Sequence, residues 1–302
     1  MSAVPATIEG VRQELGPAVR IVGVIGSPVA HSLSPLLHNA AFVALGLEDR
    51  WRSFAFEVPE GEAAGALDAV RRARVTGLSV TMPHKAAVAA LVDECSEVAR
   101  RLDAVNCVVN RGGVLYGTNT DGEGFVASLR RGAGFDPAGR RCLVVGAGGA
   151  ARAVVVALAG AGAAQVSVAN RTLGRAEAAA ALAGPAGSVV DLGAPAALSE
   201  AVTSADLVVN ATPLGMAGTP EAGRAGAWLV EPSLLRPGQV AADLVYAPRP
   251  TAWLAQAASA GAAVLDGLGM LVHQAAAQLE LWTGAEPPVE AMWQAAEAAR
   301  EA

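Results

Sequence analysis

A glycine-rich turn near the middle of the chain has the residue types that bind the phosphates of a dinucleotide. Residues 144–152 read Val-Val-Gly-Ala-Gly-Gly-Ala-Ala-Arg, a GxGxxA pattern between a predicted strand and a predicted helix. Gly146 allows the tight turn, Gly148 lets the backbone approach a pyrophosphate, and Ala151 permits close helix packing. The predicted cofactor-binding residues here are Gly146, Ala147, Gly148, Gly149 and Ala150. The alternative is a glycine turn without a ligand.

The end of the next strand favours NADP over NAD. An NAD site usually has a carboxylate there, which bonds the ribose 2′-hydroxyl. This chain instead has Asn170, Arg171 and Thr172, with Arg175 one turn further on. Two guanidinium groups and a hydroxyl suit a 2′-phosphate through forked, charge-assisted hydrogen bonds. The alternative is that both arginines are solvated surface charges.

Two further polar segments are candidates for binding small molecules. Residues 210–216, Asn-Ala-Thr-Pro-Leu-Gly-Met, follow a predicted strand, where sheets of this kind bind ligands, so we expect them to face the nicotinamide. They are equally consistent with a capped turn. Ser32 and Ser34 either cap the following helix or hold an anionic or polyol ligand at its N terminus.

Lys85 and Asp121 are the candidates for acid–base chemistry. Lys85 follows an apolar strand and Pro83, which is an unusual position for a solvated charge. Asp121 lies in the polar segment 116–122, where the first block of the chain meets the second. Asp121 either caps a helix or pairs with Lys85, and the residue types alone leave both possibilities open.

Two blocks of alternating strands and helices must position these groups, so we predict an α/β fold with two domains. For the first block we predict strands at 19–25, 52–58 and 77–81, helices at 35–45, 60–74 and 85–102, and a hairpin of 104–110 with 114–116. For the second we predict the doubly wound parallel sheet of a dinucleotide-binding fold, with strands at 141–145, 165–169, 188–191, 206–210, 239–244 and 262–265. A helical tail begins at about residue 268.

Composition argues against several classes of partner. The net charge of −6 over 302 residues, without a basic run, is unfavourable for binding nucleic acid or an anionic membrane. The longest stretch without a polar side chain, between Arg152 and Gln165, is too short to span a bilayer. The three cysteines match no zinc pattern and suit reduced thiols, so we expect a cytoplasmic protein without a metal.

The motifs together identify a resemblance to the shikimate dehydrogenase family over nearly the full length of the chain. The segments that carry it are Ser32-Leu33-Ser34-Pro35, residues 80–85 (Val-Thr-Met-Pro-His-Lys), Asn106, Asn119-Thr120-Asp121-Gly122, the turn 146–152, Asn170-Arg171-Thr172, residues 210–216, and residues 266–274 (Asp-Gly-Leu-Gly-Met-Leu-Val-His-Gln).

The resemblance implies which residues form the site. It implies a substrate-binding catalytic domain of residues 1–121 with 268–302, to which the C-terminal helices return, and a Rossmann-type NADP domain of residues 122–267. Lys85 and Asp121 would be the catalytic pair. The implied substrate-binding residues are Ser32, Ser34, Thr81, Asn106, Tyr246 and Gln274. The implied cofactor set adds Thr212, Pro213, Met216, Gly267 and Met270 to the residues of the turn and the second strand.

The activity implied is the reversible, NADP-dependent reduction of 3-dehydroshikimate to shikimate, a step towards chorismate and the aromatic amino acids, by a monomer or homodimer. Three alternatives stay open: a family member acting on quinate, one acting on an amino analogue of shikimate, and a non-catalytic ligand-binding regulator. Two positions depart from the family. Ser79 stands where the family often has Asn, and Cys107 where it often has Thr. Both departures could retune the substrate preference.

Overall fold

The chain divides into two compact units. A computed structural model describes residues 7–216 and 230–301. The first unit is Met1–Thr120 with Val272–Ala302, and the second is Asp121–Leu271. Residues 1–6, 217–229 and 302, which the predicted domain ranges include, lie outside the described residues.

The helices and strands alternate through most of the chain. Up to residue 118 they are α1 (Ile8–Leu15), β1 (Arg20–Gly26), α2 (Ser34–Ala44), β2 (Trp51–Glu57), α3 (Ala63–Arg72), β3 (Gly77–Val80), α4 (Lys85–Leu91), β4 (Glu94–Cys95), α5 (Glu97–Leu102), β5 (Cys107–Arg111) and β6 (Val114–Thr118). They continue with α6 (Asp121–Gly132), β7 (Arg141–Val145), α7 (Gly149–Gly160), β8 (Gln165–Asn170), α8 (Leu173–Ala181), β9 (Gly187–Asp191), α9 (Pro195–Ser204), β10 (Leu207–Asn210), β11 (Val240–Asp243), α10 (Ala252–Ser259), β12 (Ala263–Leu265), α11 (Gly267–Thr283) and α12 (Val289–Glu301).

The first unit is built on a mixed six-stranded sheet in the order β2-β1-β3-β5-β6-β4. β1 is parallel to β2 and β3, whereas β5 is antiparallel to both β3 and β6. Every residue of β1 after Arg20 is buried, as expected for a central strand covered on both faces. Parallel pairing brings the carboxyl ends of β1 and β3 to the same edge of the sheet, and β5 starts at that edge.

The prediction of one helix over residues 85–102 is wrong. The segment forms α4 and α5, separated by the two-residue strand β4, which pairs with β6. Two side chains compete with the helix for backbone hydrogen bonds. Asp93 Oδ2 accepts from the Leu115 amide at 2.7 Å, and Ser96 caps α5 by accepting from the Ala99 amide at 3.2 Å.

The second unit has six parallel strands in the order β9-β8-β7-β10-β11-β12. This is the doubly wound arrangement that the sequence predicts. The direction of winding reverses between β7 and β10, and ligands of such sheets bind beyond the carboxyl ends of the strands at this point. The glycine turn follows β7, and the segment 210–216 starts at the end of β10.

Candidate active site

Five of the predicted site residues belong to one edge of the first sheet: Ser32, Ser34, Thr81, Lys85 and Asn106. Ser34 begins α2 after β1, while Thr81 follows β3 and Lys85 begins α4. The Val105 amide donates to the Lys85 carbonyl at 2.9 Å, and the Val80 amide donates to the Asn106 carbonyl at 2.7 Å. These bonds hold Lys85 and Asn106 at the edge where β3 ends and β5 begins.

The serines lie at the start of α2. Ser34 is 4% exposed, and its amide donates to Ser32 Oγ at 3.3 Å. No side chain of the described residues caps this helix at its N-cap, Leu33. The Ser32 hydroxyl therefore contacts the first turn without acting as the N-cap of α2, and its accepting bond is a long one.

A buried network of amide and hydroxyl groups lies next to this edge. Its members are Asn106, Thr120, Gln274 and Gln278, each at most 7% exposed, and we call them the amide network. The Thr120 amide donates to Asn106 Oδ1 at 2.8 Å, and Asn106 Nδ2 donates to Thr120 Oγ1 at 3.1 Å. Gln274 joins through its Oε1, 3.4 Å from Asn106 Nδ2, and through its carbonyl, 3.1 Å from the Thr120 hydroxyl. Gln278 is a member that the sequence reasoning missed.

Two of the predicted substrate and catalytic residues belong to the second unit. Asp121 is 4% exposed and begins α6, where a carboxylate is favoured by the positive end of the helix dipole. Tyr246 follows β11, and burial raises the pKa of its phenol. The pairing of Lys85 with Asp121 and the contact of Tyr246 with substrate stay predictions.

The glycine turn has the shape and the donors that a pyrophosphate needs. Gly146 has φ +118°, and a Cβ there would lie 2.8 Å from the Ala211 carbonyl oxygen, so only glycine fits. A Cβ built on Gly148 or Gly149 meets no heavy atom within 4 Å. Both glycines are exposed at the N terminus of α7, and the residues before and after them, Ala147 and Ala150, are half-buried. The turn therefore offers open space in front of free helix N–H groups.

The side chains that would read the cofactor's 2′-phosphate are exposed. Arg171, Thr172 and Arg175 surround the start of α8, and all three are exposed. Neither guanidinium group makes a hydrogen bond or an ion pair with the residues described. Asn170 Nδ2 donates to the Thr172 carbonyl at 3.0 Å and holds this corner of the chain. The arrangement is compatible with both alternatives, a phosphate site and solvated charges.

The segment after β10 is fixed by a buried carboxylate. Asn210 Oδ1 accepts from the Thr212 hydroxyl at 2.7 Å, and Asn210 Nδ2 donates to Asp243 Oδ1 at 3.0 Å. The Thr251 hydroxyl donates to Asp243 Oδ2 at 2.7 Å. Asp243 is 1% exposed, and burial raises the pKa of its carboxyl to about 6. The sequence analysis did not single out Asp243, although a carboxylate at the end of the apolar strand β11 could have indicated a structural role.

The remaining residues of the predicted cofactor set lie in the second unit. Pro213 is exposed, and Met216 is the last residue described before the gap at 217–229. Gly267 begins α11 so close to the Leu244 backbone that a Cβ would fall 2.1 Å from the carbonyl oxygen. Met270 packs against the core of the second sheet. Gly267 thus has a packing role, and contact of these residues with a cofactor stays a prediction.

Three protein-family models match successive parts of the chain. Residues 24–108 match the model of the shikimate dehydrogenase substrate binding domain. Residues 131–215 match the shikimate / quinate 5-dehydrogenase model, and residues 267–297 match the shikimate 5′-dehydrogenase C-terminal domain.

Curated relatives match almost end to end. A shikimate dehydrogenase (NADP(+)) of Moorella thermoacetica is 48% identical over 276 residues, which cover 90% of each chain. The chain belongs to the shikimate dehydrogenase family. A second relative with the same name, from Geobacter metallireducens, is 44% identical over 274 residues, 89% of this chain and 93% of its own.

Solved structures of the family share this fold. Shikimate 5-dehydrogenase of Thermus thermophilus, in complex with NADP(H) and shikimate, is 40% identical with a TM-score of 0.82, covering 93% of this chain and 100% of that one. Quinate dehydrogenase of Corynebacterium glutamicum, in complex with NAD, is 32% identical with a TM-score of 0.82, covering 93% and 99%. The prediction of an α/β fold with a Rossmann-type domain is confirmed.

The two departures from the family pattern are neighbours in the first sheet. Ser79 of β3 pairs with Cys107 of β5, and both are buried. Burial raises the pKa of the Cys107 thiol, so it stays protonated. Among the described residues, no group of three or more His, Cys, Asp or Glu side chains could hold a metal ion. No helix in the described part of the chain is long and apolar enough to cross a membrane.

Proposed function

We propose that the protein catalyses the reversible, NADP-dependent reduction of 3-dehydroshikimate to shikimate. The observation that carries the proposal is that the chain matches relatives named NADP-dependent shikimate dehydrogenases over nine-tenths of both lengths. A substrate-binding domain of residues 1–121 with 268–302 would hold the substrate, and an NADP domain of residues 122–267 would hold the cofactor. We also infer a cytoplasmic location and a monomer or homodimer.

Cofactor specificity would come from the residues after β7 and β8. The open N–H groups at Gly148 and Gly149 suit the pyrophosphate, and exposed Arg171 and Arg175 suit a 2′-phosphate. The absence of a carboxylate at the end of β8 removes the group that an NAD site uses on the ribose. NADPH, when bound, supplies the hydride.

Substrate would be held by hydroxyl and amide groups. Ser32, Ser34 and Thr81 offer hydroxyls, while Asn106 and Gln274 offer amides that the amide network keeps in one orientation. Tyr246 would complete the set. Such neutral groups bind a carboxylate and ring hydroxyls without adding a further charged side chain to Lys85 and Asp121.

Lys85 would handle charge and proton. As the C3 carbonyl accepts hydride, its oxygen becomes alkoxide-like, and an ammonium beside it stabilises that charge and donates the proton. Lys85 is the only lysine in the sequence, and the remaining residues counted as Lys or Arg are all arginines. Asp121 would orient Lys85 and accept a hydrogen bond from the C4 hydroxyl. Two charged groups retained for proton transfer argue against a purely ligand-binding regulator.

A spectrophotometric assay at the NADPH absorbance band tests the proposal. Shikimate, quinate and aminoshikimate are each offered with NADP and with NAD. We expect the highest kcat/KM for shikimate with NADP. A higher value for quinate or aminoshikimate would reassign the substrate, a higher value with NAD would reassign the cofactor, and no turnover with any combination would support the regulator.

A further inference from the structure

Gln278 is a buried polar residue that none of the chemistry above uses. It lies one helical turn after Gln274 on the same face of α11, and it is 0% exposed. Its Nε2 lies 2.8 Å from Gln274 Oε1, 3.2 Å from the Asn106 carbonyl oxygen and 3.4 Å from Thr120 Oγ1. A polar side chain is costly to bury unless hydrogen bonds compensate for the lost water. The role of Gln278 is therefore sought in its contacts with Gln274, Asn106 and Thr120.

The backbone carbonyl of Asn106 determines the orientation of the side-chain amides of Gln278 and Gln274. A carbonyl oxygen only accepts hydrogen bonds, so the Gln278 atom facing it must be the NH₂ group. The Gln274 atom at 2.8 Å from that NH₂ must then be the carbonyl oxygen Oε1. The assignment follows from hydrogen-bond logic, which is how amide orientations are fixed in general.

A second route leads to the same orientation. The Thr120 amide only donates, so the Asn106 atom facing it at 2.8 Å must be Oδ1. Asn106 therefore directs its Nδ2 towards Gln274 Oε1, 3.4 Å away. Two NH₂ groups, each anchored to a different backbone group, thus converge on the Gln274 oxygen, and the Gln274 Nε2 lies on the other end of the amide.

We propose that Gln278 is a positioning residue that makes Gln274 a hydrogen-bond donor to the substrate. The proposal rests on the proposed function, in which Gln274 holds an oxygen of shikimate. With Gln278 in place, the end of Gln274 opposite the amide network is Nε2, which suits a carboxylate or hydroxyl oxygen. Without it, the Gln274 amide is freer to turn its oxygen towards the same ligand oxygen, where two acceptors repel each other.

The first test replaces Gln278 by an apolar side chain of similar length. Among the described residues no protein group donates to Gln278 Oε1, so Gln278→Met removes one unsatisfied acceptor along with three contacts, and the fold should tolerate it. We expect the KM and Kd for shikimate to rise about five- to tenfold, with kcat and the KM for NADP within about twofold. Gln294→Met, on exposed α12, is the matched control and should change none of these constants.

A double-mutant cycle separates positioning from general structural damage. If Gln278 acts through Gln274, Gln278→Met should have no further effect on shikimate Kd in a Gln274→Ala background. Equal effects in both backgrounds would overturn the proposal, as would an unchanged Kd in Gln278→Met alone. Wild-type protein that does not bind shikimate would instead refute the proposed function, so the two failures are distinguishable.

Gln278→Glu gives the same test if the methionine variant fails to fold. At a pH at which the new carboxyl group is ionised, it cannot donate to Gln274 Oε1 and only Asn106 Nδ2 still does. The Gln274 amide then turns its Nε2 towards the carboxylate and its oxygen towards the ligand. We expect the KM for shikimate to rise more in the glutamate variant than in the methionine variant, or at least about tenfold if only the glutamate variant folds. A KM equal to that of the wild type would overturn the proposal.

Discussion

Lys85 is the residue on which the proposed proton transfer depends. We expect Lys85→Met to lower kcat by about 100-fold or more, which is the range for loss of a general acid, and to leave the KM for shikimate nearly unchanged. Steady-state kinetics with NADPH and 3-dehydroshikimate measure both constants. Lys85→Arg keeps the charge but not a transferable proton, so it should lose most of kcat as well. A defect confined to KM would show that Lys85 only binds.

Arg171 tests the assignment of the cofactor phosphate. We expect Arg171→Ala to raise the KM for NADPH about tenfold or more, because a charge-assisted hydrogen bond to the 2′-phosphate is lost. NADH, which lacks that phosphate, should be affected little, and so should shikimate. Arg131→Ala, another exposed arginine of the second unit, is the control. An unchanged NADPH constant in Arg171→Ala would mean that this arginine is a solvated charge.

Asp243 makes stability depend on pH. Its pKa is raised from 3.8 to about 6, so the folded state binds more protons than the unfolded state between these values. Stability therefore falls as pH rises from the unfolded pKa of 3.8 to the folded pKa of about 6, and the loss is constant above that range. Relative to Asp243→Asn, the unfolding free energy of the wild type should fall by about 2 kcal/mol from pH 4 to pH 7. Urea titrations at both pH values measure this difference, and a pH-independent difference would contradict the assignment.

At the scale of elements, two glycines of the turn between β7 and α7 have different roles: Gly146 is needed for the fold, and Gly148 is proposed to leave room for the cofactor. Gly146→Ala places a Cβ 2.8 Å from the Ala211 carbonyl at φ +118°, and we expect it to destabilise the protein by about 1–3 kcal/mol without any ligand. Gly148→Ala meets open space at an ordinary φ of −76°, so its melting temperature should match the wild type. It should nevertheless weaken NADPH binding, because the added methyl group occupies the approach to the helix N–H groups. Thermal melts with and without NADPH distinguish these outcomes.

The sequence predicts the second sheet better than the first because their signals differ. Parallel strands buried on both faces, such as β7, appear in the sequence as apolar runs between glycine turns and helices. The regular alternation of strand, turn and helix also predicts the doubly wound strand order. The error over residues 85–102 comes from long-range pairing. Whether Asp93 bonds the Leu115 amide or leaves a helix intact depends on a strand 22 residues away, which no local propensity encodes.

The position of a candidate site residue was predictable where a short motif contains it, but not where only a tertiary contact distinguishes it. Ser34, Thr81 and Asn106 belong to short motifs, and the structure brings them with Lys85 to one sheet edge. Gln278 has no motif, because its importance lies in which atoms its amide faces. Its signal was modest: a second glutamine at helical spacing from Gln274 in an otherwise apolar run.

At the scale of the whole molecule, an acidic protein has to bind two anionic ligands. The net charge is −6, so long-range electrostatics oppose NADPH and shikimate, and attraction must come from local groups. In the proposed function Arg171 and Arg175 would provide it for the cofactor, and neither side chain has an ion-pair partner among the described residues.

Hydrogen exchange shows where each ligand binds along the chain. The amides of Gly149, Ala150 and Ala151 form the first turn of α7 and have no intrahelical acceptor, so they should exchange quickly in the free protein. We expect NADPH to slow these three amides, because the phosphate oxygens accept from them. Shikimate alone should leave them fast and slow exchange around residues 32–37, where α2 begins. Protection of the α7 turn by shikimate alone, or its absence with saturating NADPH, would contradict the assignment of the glycine turn to the cofactor.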